Sequence, residues 1–174
     1  ADERTRTIVA EGRTHLEEGP RRIYIGFDPT CNLECPSCRC GHIVAKGEQL
    51  TAAQRAYKAV FESKYIQQAE KLWIPSNGEA FSSRIYRSIL REWDASRYPN
   101  LAIEILTNGV LLTESMWNSI ANSHEAIEQI QVSTNAARRE TYEAIQKGAS
   151  FDKLLDALAL IGRLRRAGTI KTFL

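Results

Sequence analysis

The alternation of strand-like and helix-like segments is the feature that most limits the folds open to this chain. Short runs of β-branched and aromatic residues lead into longer amphipathic runs, four times in succession. The predicted strands are 21–27, 72–76, 101–107, 127–134 and 169–174, and the predicted helices are 51–71, 82–97, 113–123, 138–146 and 151–168. Right-handed crossovers between such strands make the sheet parallel. The pattern predicts an α/β fold of about four and a half βα units, either an open or partial (β/α) barrel or a doubly wound sheet.

Two helix ends carry residues typical of caps. Thr51 is predicted to cap the N-terminus of helix 51–71, because its hydroxyl can accept from a backbone N–H. Gly168 is predicted to end helix 151–168, whose last turn is basic.

Composition adds little that is specific. The chain has 174 residues, 43% of them hydrophobic, with a formal charge of +2, which permits one core and does not indicate nucleic acid as a partner. No apolar run is long enough to span a bilayer, and the first residues lack the order of a signal peptide. We expect a lead-in segment at 1–20, a single domain at 21–174, a cytoplasmic location and no membrane partner.

Four polar loops follow the first four predicted strands. They are the cysteine loop 28–40, the segments 76–81 (SNGEAF) and 133–136 (STNA), and Asn108–Gly109. Ligands of parallel α/β folds bind where the carboxyl ends of the strands meet. The sequence therefore predicts a functional site at this edge of the sheet.

All four cysteines lie within DPTCNLECPSCRC, residues 28–40. Cys31, Cys35 and Cys38 have the gaps that let three thiolates reach three corners of an iron–sulfur cubane, leaving the fourth iron without a protein ligand. A zinc site completed by Cys40 or His42 is also possible, and so is a redox pair of Cys35 with Cys38. The spacing alone leaves these alternatives open, with Cys40 expected to be a spare thiol.

The cysteine motif C-x-x-x-C-x-x-C resembles the signature of the radical S-adenosylmethionine (SAM) enzymes. The segment CNLECPSCR (31–39) is most similar to the motif of the branch that carries SPASM or twitch domains. PSNGEAF (75–81), LTNGVLLTESMW (106–117) and VSTNAARRETYEAIQKGASFDKLLDAL (132–158) resemble later segments of that family in the same order. The resemblance extends from about residue 21 to the end. It implies a partial barrel of the radical SAM type that is incomplete on its C-terminal side, since that family's core usually has six βα units.

The resemblance also implies cofactors and a reaction. A [4Fe–4S] cluster is expected on Cys31, Cys35 and Cys38, with SAM on its open iron. An external donor such as flavodoxin or ferredoxin would reduce the cluster. SAM would then be cleaved to methionine and a 5′-deoxyadenosyl radical that abstracts a substrate hydrogen. The substrate expected in this branch is a peptide, a protein or a natural-product precursor.

Three segments match the family's SAM contacts. Glu79, with the backbone of Asn77 and Gly78, matches the segment that receives the methionine ammonium, where Gly78 is expected to let the backbone approach the ligand. Backbone around Ser37 would lie near the adenine, although many relatives have an aromatic residue at this position.

Asn108 matches a contact to the nucleoside, and Ser133 and Asn135 match a contact to the ribose hydroxyls or the carboxylate. Gln146 stands where a basic residue often pairs with that carboxylate. Glu104 on the third strand is equally compatible with an inward functional position and an outward surface position.

Two alternatives to a radical SAM enzyme remain from the sequence. One is a non-catalytic zinc-binding domain that uses the same cysteines. The other is a cluster-binding fragment that does not cleave SAM.

Overall fold

The computed structural model describes residues 3–38 and 41–173, so the predictions for Cys40 lie outside the described residues. The strands are β1 (Arg22–Tyr24), β2 (Lys71–Ile74), β3 (Ala102–Thr107), β4 (Ile127–Val132) and β5 (Thr172–Phe173). The helices are α1 (Glu3–Ala10), α2 (Gly47–Phe61), α3 (Arg84–Arg91), α4 (Glu114–Asn118), α5 (Arg139–Ile145) and α6 (Phe151–Arg166). Short 3₁₀ turns lie at Ile66–Gln68 and Ala121–Ser123.

The five strands form one parallel sheet in the order β1-β2-β3-β4-β5. A doubly wound sheet requires the strand order to reverse at a switch point, and this order does not reverse. The predicted α/β class with a parallel sheet is confirmed, and the sequential order is compatible with a partial (β/α) fold.

The two faces of the sheet differ in polarity, as the alternation of side chains along a strand allows. One cross-strand row consists of Ile74, Ile105 and Ile130, all completely buried. These isoleucines belong to one core cluster with the apolar sides of the helices, including Leu90 of α3 and Ile161 of α6. The helices therefore pack on the isoleucine face, and their burial fixes the register of the strands.

Helix α2 differs from its prediction at both ends. It begins at Gly47, so Thr51 lies inside the helix, where its hydroxyl donates to the Gly47 carbonyl at 3.1 Å. It ends at Phe61, ten residues before the predicted end at 71, because the Ser63 hydroxyl and backbone N–H both bind the Val60 carbonyl. The predicted capping role of Thr51 is wrong.

The C-terminal end of α6 confirms the prediction for Gly168. Gly168 has φ +75°, its N–H donates to the Arg165 carbonyl at 3.0 Å, and the next N–H, of Thr169, donates to the Leu164 carbonyl at 2.9 Å. These two bonds form a Schellman motif, in which the left-handed residue is usually glycine. Helix α1, within the predicted lead-in segment, has no buried residue.

Across the described parts of the chain, every helix is too short or too polar to cross a membrane.

Candidate functional site

A cavity of about 170 Å³ lies at the carboxyl ends of β1 to β4, at the edge of the sheet that the sequence predicted. Nine of the ten predicted site residues line it: Cys31, Cys35, Ser37, Cys38, Gly78, Glu79, Asn108, Ser133 and Asn135. The exception is Asn77, which is exposed and outside the lining, and whose carbonyl accepts a hydrogen bond from the Tyr86 hydroxyl at 3.3 Å. Four segments distant in sequence thus meet at one place.

The three cysteines line this cavity from inside to outside. Cys31 is buried, Cys35 is half-buried and Cys38 is exposed, and a turn between the last two is closed by the Cys38 N–H donating to the Cys35 carbonyl at 2.9 Å. Within 3–38 and 41–173, no three His, Cys, Asp or Glu side chains are arranged to hold a metal ion. A cubane cluster binds each thiolate on a separate iron, so it does not require the sulfurs to converge on one point.

Asp28 fixes the chain just before the first cysteine. Its carboxylate is 1% exposed and accepts from the Thr30 N–H at 3.0 Å and from the Ser83 hydroxyl at 2.5 Å. The first bond makes an Asx turn, and the second reaches the N-cap of α3, where Ser83 accepts from the Tyr86 N–H. The sequence analysis missed Asp28, although an Asp two residues before Thr30 is the signal of such a turn.

Gly78 also has a packing role that the sequence did not predict. Its φ is +87°, and a Cβ on it would lie 2.4 Å from the Asp28 carbonyl oxygen and 2.9 Å from that of Thr30. The next N–H, of Glu79, donates to the Thr30 carbonyl at 2.9 Å. The absent side chain therefore lets the loop after β2 pack against the loop that carries the cysteines, and Gly78 also lines the cavity, so the expected approach of its backbone to a ligand stays a prediction.

The Glu79 carboxylate is 2% exposed and joins two strand ends. Oε1 accepts from the Thr107 hydroxyl at 2.6 Å and from the Phe81 N–H at 3.3 Å, and Oε2 accepts from the Asn108 N–H at 2.7 Å. Burial raises the pKa of Glu79 to about 7, although these hydrogen bonds act in the opposite direction. A carboxylate in this setting favours any ligand that brings a positive charge.

Asn108 binds the cysteine loop through a residue that the sequence analysis did not identify. Its side-chain Nδ2 lies 3.0 Å from the Asn32 Oδ1 and 4.0 Å from the Cys31 Sγ, and its Oδ1 accepts from the Val110 N–H at 3.0 Å. The amide thus holds the first cysteine against the end of β3. A pairing of two asparagines 76 positions apart leaves no local signal in the sequence.

The β4 side of the cavity is lined by Ser133, Asn135 and Gln146. Gln146 is 1% exposed, and its Nε2 donates to the Ser133 carbonyl at 2.5 Å. Asn135 is exposed and has φ +52°, a left-handed conformation that asparagine tolerates better than most residues. This side offers uncharged amide and hydroxyl groups that can both donate and accept.

A tyrosine beside the cysteines tests whether the surroundings suit a sulfur-rich cofactor. Tyr142 is completely buried, and in the described structure its hydroxyl has no hydrogen-bond partner. Burial raises the pKa of this phenol to about 12, and the negative charge of Cys35 contributes in the same direction. An unused donor near the side chain of Cys35, together with three cysteines around one cavity, fits a cluster whose sulfurs accept hydrogen bonds.

Comparison with known proteins adds no family assignment. The sequence matches no protein-family model, and no curated protein is significantly similar to it.

Proposed function

We propose that this chain is the core of a radical SAM enzyme. One observation carries the proposal: nine of the ten residues that the family resemblance implies, from four separate segments, line the same cavity at the carboxyl edge of the sheet. A parallel sheet with consecutive strands is the architecture that brings these four loops together.

Cys31, Cys35 and Cys38 would hold a [4Fe–4S] cluster. When bound, the cluster supplies the electron for reductive cleavage of SAM to methionine and a 5′-deoxyadenosyl radical, which abstracts a substrate hydrogen. The protein holds the cysteine loop in place through Asp28 and the amide pair of Asn32 and Asn108. The exposed Cys38 leaves one edge of the loop open to an external donor such as flavodoxin or ferredoxin.

Glu79 would receive the methionine ammonium of SAM. Its carboxylate is buried, and its pKa is set by burial and by hydrogen bonds to Thr107, Asn108 and Phe81. A bound ammonium would favour the ionised carboxylate and gain an interaction that water cannot screen. The carboxylate is thus positioned for a cation inside a cavity.

Ser133, Asn135 and Gln146 would contact the ribose hydroxyls and the carboxylate of SAM, with backbone near Ser37 beside the adenine. Their groups are uncharged, so orientation would come from hydrogen bonds and not from an ion pair. Lys147, which follows Gln146 in the sequence and would be the nearest source of a positive charge for that carboxylate, lies outside this lining, with its amino group 3.6 Å from the Glu34 carboxylate.

The test is formation of 5′-deoxyadenosine. Protein reconstituted anaerobically with iron and sulfide is incubated with SAM and dithionite, and the product is measured by liquid chromatography and mass spectrometry. The proposal expects 5′-deoxyadenosine in the wild type and at least a tenfold lower yield in Glu79→Gln. The control is Glu48→Gln, at an exposed position in the first turn of α2, which should match the wild type.

Three results would contradict the proposal to different extents. Intact SAM on a chain that carries the cluster would make this a cluster-binding fragment without SAM cleavage. One zinc with no iron or sulfide would make it a zinc-binding domain. Equal yields from Glu79→Gln and the wild type would remove Glu79 from the SAM site.

The proposal also includes the expected substrate, which is a peptide, a protein or a natural-product precursor, and a cytoplasmic location.

A further inference from the structure

A second cavity, of about 420 Å³, lies between the two ends of the cysteine loop and the first turns of α2 and α3. We call it the basic cavity, because the side chains of Lys46, Arg84 and Arg87 line it. Among the described residues, none lines both the basic cavity and the cavity of the three cysteines. Its chemistry is therefore separate from that of the proposed SAM site.

The three cations of the basic cavity are not neutralised by carboxylates. In the described parts of the chain, Lys46, Arg84 and Arg87 form no ion pair. The Arg87 Nε donates to the Ser83 carbonyl at 3.4 Å, which leaves its charge without a counterion. Among the described lining residues the one carboxylate is Asp28, so three cations against one carboxylate leave two positive charges unmatched.

The two arginines of the basic cavity repel each other at the start of α3. Arg84 and Arg87 are three positions apart, so they are neighbours on the helix surface. The pKa of Arg87 is lowered from its usual value, first by burial and then by the positive charges of Arg91 and Arg84. Like charges this close destabilise a helix, and a bound anion would offset their repulsion.

The number and kind of these cations favour a phosphate over a carboxylate. A guanidinium presents parallel N–H donors that match the oxygens of a phosphate. A phosphate monoester carries about two negative charges at pH 7, as many as the cations leave unmatched, whereas a carboxylate carries one. Val44, which is 43% exposed, and half-buried Leu50 line the same cavity and offer apolar surface to the organic part of a ligand.

The walls of the basic cavity are the two ends of the cysteine loop. The Thr30 hydroxyl accepts from the Ala45 N–H at 2.9 Å, and the Cys31 N–H donates to the Ile43 carbonyl at 3.0 Å. Lys46 follows directly after these paired segments. An anion held by Lys46 and by the arginines of α3 would connect the end of the loop to that helix, so binding should stabilise the folded protein.

We propose that the basic cavity binds a small phosphate monoester. Its phosphate group lies between Lys46, Arg84 and Arg87, and its organic part lies against Val44 and Leu50. The site uses neither the three cysteines nor Glu79, so this proposal goes beyond the proposed function and does not rest on it.

The experiment is isothermal titration calorimetry of the full chain with phenyl phosphate, at pH 7.5 and constant ionic strength. This probe carries a phosphate monoester and a small ring, and it lacks the adenosine of SAM. We expect saturable binding of one molecule per chain. Benzoate has the same ring with a single charge and should bind at least about tenfold more weakly.

Two arginines of α3 provide a variant and its matched control. Arg87→Gln removes a charge that lines the basic cavity and should weaken the binding of phenyl phosphate at least about tenfold. Arg91→Gln removes the same charge one turn further along α3, outside the lining, and should bind within about threefold of the wild type.

Thermal unfolding gives a second readout that remains valid for a variant of lower stability, because each protein is compared with and without ligand. Phenyl phosphate should raise the Tm of the wild type and of Arg91→Gln. The same concentration should leave the Tm of the double variant Arg84→Gln/Arg87→Gln almost unchanged.

Five results would overturn the proposal. They are the absence of saturable binding, equal affinity for benzoate and phenyl phosphate, equal affinity of wild type and Arg87→Gln, equal losses in Arg87→Gln and Arg91→Gln, and an equal rise in Tm in the wild type and the double variant. The proposed SAM cleavage is measured by 5′-deoxyadenosine, so either proposal can fail while the other stands.

Discussion

The Glu79 carboxylate accepts the backbone N–H of Asn108 at 2.7 Å, so the loop after β2 and the end of β3 share one buried acid. The same carboxylate accepts the Thr107 hydroxyl. This acid lies in the wall of the cavity that the cysteines also line. Its ionisation therefore affects both stability and ligand binding.

Stability should fall as the pH rises through the range in which Glu79 ionises. Burial raises its pKa from 4.5 to about 7, so between these values the folded protein holds a proton that the unfolded chain has lost. The free energy of unfolding should decrease by up to roughly 3 kcal/mol from pH 4.5 to pH 7 because of this group. Urea unfolding of Glu79→Gln should lack this contribution. An equal decrease in the variant and the wild type would contradict the assignment.

Gly78→Ala should destabilise the protein by about 2–4 kcal/mol, because the new Cβ would meet the backbone of the cysteine loop at a positive φ. Urea unfolding measures the loss. The control is Gly162→Ala, inside α6, where the nearest atom to the new Cβ is the Arg166 guanidinium at 3.5 Å. That change should be neutral or stabilise by about 0.5–1 kcal/mol. Equal effects of the two substitutions would contradict the packing described for Gly78.

Asp28→Ala should cost about 2–4 kcal/mol, because it leaves the Thr30 N–H and the Ser83 hydroxyl without their acceptor in a buried place. It should also lower iron incorporation, since it releases the loop before Cys31. Asp28→Asn retains an acceptor for the Thr30 N–H, so it should lose less stability and less iron than Asp28→Ala. Asp94→Ala removes a similar turn at an exposed site and should leave iron incorporation unchanged. Normal iron incorporation by Asp28→Ala would contradict the positioning role.

Tyr142→Phe should have different effects on the cluster-free and the cluster-loaded protein. Without a cluster, removing a buried hydroxyl that lacks a partner should stabilise the protein by about 1 kcal/mol. With a cluster, the lost donor should make the reduction potential more negative by roughly 20–60 mV, the equivalent of one hydrogen bond. Urea unfolding and an electrochemical titration followed by electron paramagnetic resonance measure the two effects. An unchanged potential would show that the hydroxyl does not face the cluster.

The general fold was predictable from the sequence because its signal is local. The strands that contain Ile105 and Ile130 are rich in β-branched residues, and α6 has helical periodicity with a glycine just after its end. The parallel topology alone predicted which edge of the sheet holds the cavity. The early end of α2 was not predictable, because it depends on hydrogen bonds at Ser63 that compete with a periodic pattern.

Most contacts that hold the site together could not be predicted from the sequence. The bond between Asp28 and Ser83 joins residues 55 positions apart, and the pair of Asn32 and Asn108 is separated by 76. The sequence did not determine which face of the sheet carries Glu104. In the structure the row of buried isoleucines occupies the face that packs on the helices, so Glu104 lies on the opposite face.

Iron and acid-labile sulfide in anaerobically reconstituted protein test the central claim most directly. The wild type should carry about four irons and four sulfides per chain, and the Cys31→Ala/Cys35→Ala/Cys38→Ala variant should carry almost none. Electron paramagnetic resonance of the reduced wild type should show a cluster signal that shifts when SAM is added. An iron content that stays the same after all three cysteines are replaced, or a wild type that holds zinc without iron or sulfide, would contradict the account.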